Sequence, residues 1–210
     1  LGSKVTSITQ SGTAGPLAIT ASQANADSAA LAKIQGVWTV SVTDTSAAIA
    51  TNLDALQALQ AGGHLSAITQ SGTPAPLAIT ALQANTDGAA LSKISGNWTV
   101  NITDSSANIA TNLDILQGLQ TGGHLGTITQ SGVAAPLAIT ALQAKSDSGA
   151  LAKIQGSWTA NVTDSSANIA TNLDALQALK TGGHLGSISQ SGTVAPLAIT
   201  AQQANGDAGA

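Results

Sequence analysis

Three histidines, His64, His124 and His184, stand 60 residues apart, each behind a Gly-Gly pair. Aspartates recur in the same rhythm: Asp44, Asp104 and Asp164; Asp54, Asp114 and Asp174; Asp27, Asp87, Asp147 and Asp207. A Ser–His–Asp arrangement can be drawn from them on paper, and so can a ladder of metal-binding imidazoles. The repetition argues against both. A catalytic site is normally single and asymmetric, whereas here every copy carries the same residues. Stacked strands lie about 4.8 Å apart, which puts equivalent histidines two coils apart on the order of 10 Å from each other. One ion held at about 2 Å by each nitrogen cannot bridge that gap. The expected role of these histidines is at a helix exit, hydrogen-bonded to the terminal carbonyls. Calcium needs several converging oxygens, and no loop of this chain carries more than one acid. The sequence therefore predicts no catalytic residue, no metal ligand and no cofactor, that is, a protein that is not an enzyme.

The elements that position these residues form a tandem repeat. Trp38, Trp98 and Trp158 mark one place in three copies, 60 residues apart, and Pro16, Pro76, Pro136 and Pro196 mark another. A fixed period in this range is the signature of a stacked array. From Trp98, the apolar residues Trp98, Val100 and Ile102 alternate with Thr99, Asn101 and Thr103, which predicts a strand with one buried face. Asp104 follows in a position suited to an N-cap, as do Asp44 and Asp164. The helix behind it carries Ile109, Leu113 and Leu116 on one stripe, with Leu119 in its last turn. Asn108, Asn112 and Gln117 fall mostly off that stripe, and Asp114 is expected mid-helix in solvent, like Asp54 and Asp174. Gly122-Gly123 ends the helix.

The second half of the copy begins at His124. Gly126 to Gln130 reads as a short strand, Ser131-Gly132 as a turn, and Leu137 with Ile139 as a second short strand after Pro136. The stretch from Ile128 to Ile139 is either a hairpin or a corner. Thr140 caps a weaker helix over roughly Ala141 to Ile154, which breaks near Asp147. Asp147, like Asp27, Asp87 and Asp207, is expected to cap the second helix or its restart. The two halves echo each other, so the repeat reads as two strand–helix coils of about 30 residues. The predicted fold is an α/β solenoid: a partial copy over 1–36, copies at 37–96 and 97–156, and a partial copy over 157–210, with strands in a parallel sheet. Both ends cut through the repeat, so a slice of a longer array is expected.

Composition sets the limits. Hydrophobic residues make up 43%, and the core must be aliphatic because Phe, Tyr and Met are absent. Charged residues are 8%, with no Arg or Glu, and the net charge is −4, so no basic patch invites nucleic acid. No apolar run is long enough for membrane insertion. Without cysteine there is no disulfide or thiolate site.

The stretches VTDSSANIATNLDALQAL, SGTPAPLAIT and ALAKI resemble the tandem-repeat regions of very large secreted bacterial surface proteins, the strand-repeat or adhesin-like proteins. The resemblance covers the whole chain and implies an extracellular or cell-surface location and a structural role as stalk or fibre. The glycine-rich nonapeptide that binds calcium in repeats-in-toxin proteins is absent, so no calcium site is implied. The leucine-rich repeat is a looser comparison, with a different spacing of Leu and Asn. Two other roles remain open at this point. The small polar strand face, with Thr39, Thr43, Thr99, Asn101, Thr103, Thr159, Asn161 and Thr163, could bind an ordered surface such as ice or a glycan; it could equally be a solvated face. Unpaired sheet edges could also join copies of the repeat end to end into filaments.

Overall fold

The computed structural model describes residues 4–13, 15–207 and 209. The chain divides into two compact units, Leu1–Val100 and Asn101–Ala210. Both are α/β, with small parallel sheets alternating with helices, as the sequence predicts at that level.

In the first unit, β1 (Leu17–Ile19), β2 (Val40–Asp44) and β3 (Leu65–Gln70) pair in parallel in that order. Helices α1 (Ala21–Ala26) and α2 (Ser28–Leu31) join the first two strands, and α3 (Ser46–Thr51) and α4 (Leu53–Ala61) join the next two. Then come β4 (Leu77–Ile79), α5 (Ala81–Thr86) and α6 (Gly88–Leu91). The second unit repeats the plan. It holds β5 (Val100–Asp104, all but its first residue), α7 (Ser106–Thr111), α8 (Leu113–Thr121), β6 (Leu125–Gln130), β7 (Leu137–Ile139), α9 (Ala141–Ser146), α10 (Ser148–Leu151), β8 (Ala160–Asp164), α11 (Ser166–Thr171), α12 (Leu173–Thr181), β9 (Leu185–Gln190) and α13 (Ala201–Gly206). Strands β7, β8 and β9 pair in parallel in that order.

The alternation set the strand register as expected. Val40 and Val42 are fully covered while Thr43 is exposed, and Ala160 and Val162 repeat the pattern against Asn161 and Thr163. Strand β5 starts at Val100, not Trp98, and Trp98 is only half-buried, whereas Trp38 and Trp158 are buried. Ile102, Ile109, Leu113 and Leu116 are all fully buried. The stretch from Ile128 to Ile139 is a corner: β6 belongs to one sheet and β7 to another, and Ile128 instead bridges Ile154 in parallel.

The long helix of each copy differs from expectation. It is broken at Asn52, Asn112 and Asn172, where φ is near −110° and the residue leaves the helical basin. Asn112 does not sit off the stripe in solvent; it is 5% exposed, and its Nδ2 donates to the Asn108 carbonyl at 2.8 Å. An asparagine side chain bonding back to the previous turn competes with the backbone ladder and bends the helix. The break turns Asp54, Asp114 and Asp174 from mid-helix residues into acids of a first turn, favourable for the helix dipole. At the far end, Gly123 has φ +76°, and its N–H and that of His124 donate to Gln120 and Leu119 carbonyls. This paired ending satisfies the last turn and needs a residue without Cβ at the left-handed position.

Candidate functional site

The proposed binding face resolves into three groups of residues. Thr43, Thr103 and Thr163 point outward and are exposed, and Thr43 stands directly across from Thr69 on β3. Thr39, Thr99 and Thr159 precede the strands and are half-buried. Their carbonyls accept from the amides of Leu17, Leu77 and Leu137, so these threonines anchor the start of pairing. The asparagines serve the backbone. Asn101 Oδ1 accepts from the Thr127 amide at 3.1 Å. Asn161 occupies the corresponding place in β8, where the register with β9 shifts between Ala160 and Asn161.

The richest polar chemistry lies where one helical connection packs on the next. Asp44 Oδ2 accepts from the Ala21 amide at 3.0 Å, and Asp164 Oδ2 from the Ala141 amide at 3.1 Å. Each carboxylate thus sits at the first turn of the preceding helix. It does not cap the helix that follows it, which Thr45, Ser105 and Ser165 do through their hydroxyls. Asp104 likewise accepts from the Ser105 amide and from Asn108 Nδ2, both at 2.8 Å. At Asp164, burial works against the charge, but Asn168 Nδ2 and the amides of Ser165, Ala141 and Leu142 hold the carboxyl below its ordinary value.

Thr20, Thr80, Thr140 and Thr200 cap as expected, each forming a reciprocal box with the glutamine three residues on. The short helices α6 and α10 are not capped by Asp87 and Asp147, nor is α2 by Asp27; none makes a side-chain cap. Gln57 Oε1, reaching from α4, accepts from the Ala90 amide at 2.8 Å, and Gln117 does the same for Ala150. A buried serine completes the seam. Ser46 Oγ receives Gln70 Nε2 at 2.9 Å and the Ala75 amide at 3.1 Å, and Ser106 receives Gln130 and Ala135 at 2.9 and 3.1 Å. The reading of the sequence missed these glutamines and serines, and gave Asn101 and Asn161 to a binding face. The signal was available: Gln57, Gln117 and Gln177, Gln70, Gln130 and Gln190, and Ser46, Ser106 and Ser166 are the same in every copy although they are polar.

Asp87 and Asp147 are buried, 3% exposed, each beside an acid of the previous helical connection, Asp54 and Asp114. Burial and that second carboxyl raise each to about 6. Asp207 is raised too, by burial and by Asp174.

His64 and His184 do not bond helix carbonyls through their rings. His64 lies flat on Trp38, with ring centres 3.7 Å apart, and its Nδ1 donates to the Trp38 carbonyl at 3.1 Å. His184 repeats this on Trp158 at 4.0 Å and 3.0 Å. The backbone amide of the histidine, and not its ring, closes the helix. Trp158 and His184 line an open groove of about 600 Å³ with Lys145, Leu151, Ile154 and Leu179, a mainly apolar surface. Among the described residues no three His, Cys or acidic side chains come together as a metal site, and no helix is long and apolar enough to cross a membrane.

No protein-family model matches the chain, and neither the curated proteins nor the solved structures contain a match.

Proposed function

We propose that this chain is a structural segment, a stalk or fibre portion of an extracellular bacterial surface protein of the adhesin-like kind, and that its copies stack as a single α/β solenoid. The observation that carries this reading is the recurrence of one set of fastenings. Asp to helix amide, Gln to helix amide and Ser to Gln each reappear at the equivalent place in both units. What the repeat preserves is the junction between successive helical connections, which suits a spacer and has no counterpart in a single reaction centre. The reading is non-enzymatic and needs no cofactor. Small-angle scattering from the 210-residue chain tests it: a rod-like profile is expected, and a profile of two freely reorienting globules would refute the continuous solenoid.

Filament formation is part of the same reading, with further copies of the repeat as the partner. Leu197 and Ile199 are 37% and 41% exposed, while the equivalent Leu137 and Ile139 are covered by the neighbouring strand. One more strand of the same kind would bury them. The scattering series in concentration decides this: growth of rod length supports it, and constant mass at high concentration refutes it.

The second reading, a module that binds glycan, ice or another ordered surface, is favoured by the exposed Thr43–Thr69 pair. Replacing Thr43, Thr103 and Thr163 with Lys leaves the core untouched. If the face binds, adsorption to immobilised glycans or ice falls at least tenfold; equal adsorption by the variant and the parent would remove this reading.

A further inference from the structure

Asp87 Oδ1 accepts from Thr86 Oγ1 at 3.1 Å, while its Oδ2 is buried and receives no N–H or hydroxyl donor. Asp54, on α4, faces it, and Asp54 Oδ1 accepts from Gln83 Nε2 at 3.3 Å. The second unit repeats every part. Asp147 Oδ1 takes Ser146 Oγ at 3.1 Å, its Oδ2 is buried without such a donor, and Asp114 faces it while accepting from Gln143 Nε2 at 3.3 Å. A buried acceptor with no donor is costly, and two facing carboxylates repel. One proton held between them removes both problems, because the protonated acid donates to the other.

We propose that each repeat fastens successive helical connections with one proton shared by two aspartates, Asp54 with Asp87 and Asp114 with Asp147, so that the seam is closed in mildly acid solution and loosened as the pH rises towards neutrality. Asp207 facing Asp174 is a third instance, with its Oδ2 also buried and without a donor.

The surrounding charges leave the pairs uncompensated. Asp54 is the only charged residue of α4, and α5 and α6 carry none. In the second unit Asp114 is the charge on α8 and α10 has none, while Lys145 on α9 precedes Asp147 by two positions. The field at Asp147 nonetheless comes from Asp114, and that at Asp87 from Asp54. A divalent cation would need more oxygens than two carboxyls and their amide neighbours bring.

The direction follows from linkage. An unfolded aspartate loses its proton near pH 4, whereas the folded pair keeps it to about 6. Between those values the folded chain binds more protons than the unfolded one, so each rise in pH favours unfolding. The stabilisation is complete below about pH 4 and gone once the folded pair has titrated. Asp164 has the opposite sign, its contribution being lost only as the pH falls through its lowered folded value, outside this window.

The test is thermal unfolding of the whole chain from pH 4.5 to 7.5 at fixed ionic strength, together with carbon NMR of the aspartate carboxyls. The parent is expected to lose several degrees of Tm across pH 5 to 7, with the Asp87 and Asp147 carboxyls titrating near 6. The D87N/D147N variant carries a neutral donor in place of the proton and keeps every other titratable group. Its Tm should fall much less than the parent's over the interval, the remaining slope coming from the Asp174–Asp207 pair, and should exceed that of the parent at pH 7.5. Calcium chloride at pH 7.5 should leave the parent Tm unchanged. Ordinary carboxyl titration in the parent, or a variant with the parental pH slope, would overturn the proposal. So would a calcium-induced rise equal to that from acid, which would assign the pairs to a cation.

Discussion

Ser41 of the first complete copy stands beside a bulge whose extra residue is Ser66; Asn161 of a later copy stands beside one whose extra residue is Gly186. The two positions change together for a steric reason. A Cβ placed on Gly186 would lie 2.5 Å from Asn161 Oδ1, closer than unbonded atoms approach. Asn101 Oδ1 uses the same space to accept from the Thr127 amide, so the longer side chain gains a hydrogen bond only where the bulge residue has no side chain. Gly186→Ala alone should destabilise the fold by roughly 1–2 kcal/mol through overpacking and the displaced asparagine. Adding Asn161→Ser, which recreates the Ser41 arrangement, should recover most of that loss. Urea denaturation of the single and double variants reads the coupling; simple additivity of the two changes would show that the pair does not interact. The result also bears on the binding face, since an asparagine committed to the bulge is not free to meet a ligand.

At the scale of elements, strands were legible from alternation because Val40/Val42, Val100/Ile102 and Ala160/Val162 must face a core that has few other ways to be covered. The glycine ends and the threonine caps were legible for the same reason: each is a local rule, met by residues adjacent in sequence. What was not legible is whatever is supplied from another part of the chain. Asp104 looks like an N-cap, but Ser105 takes that place, and in Asp44 and Asp164 the carboxylate goes to a helix 23 residues earlier. Asp147 looks like a cap, but Gln117, 33 residues before Ala150, accepts from the Ala150 amide of α10. The helix break at Asn112 hides in an unbroken apolar stripe, because Ile109, Leu113 and Leu116 remain buried on both sides of it. The acid pairs were invisible for a related reason. Asp114 and Asp147 are each unremarkable alone, and only the packing of α8 against α9 and α10 makes them one titrating group.

For the whole molecule, the solenoid reading has a consequence that a chain of two separate domains does not share. If stability adds along a one-dimensional array, the junction between residues 100 and 101 is a seam like the others. Removing one period, residues 97–156, joins Gly96 to Ser157, and so replaces Asn97-Trp98-Thr99 by Ser157-Trp158-Thr159 in the same register. On the array reading, every fastening at the new seam would find its partner. Gln57 still faces the Ala90 amide, and the Asp164 carboxylate meets the first turn after Thr80 where it formerly met the one after Thr140. The shortened chain should therefore fold cooperatively. Its urea m-value should fall roughly in proportion to the length removed, since m follows the surface exposed on unfolding, and its midpoint should drop because one internal interface is gone. Circular dichroism in a urea series measures both. A shortened chain that fails to fold, or one that unfolds in two separated steps, would place a true domain boundary between the units and would refute the continuous array.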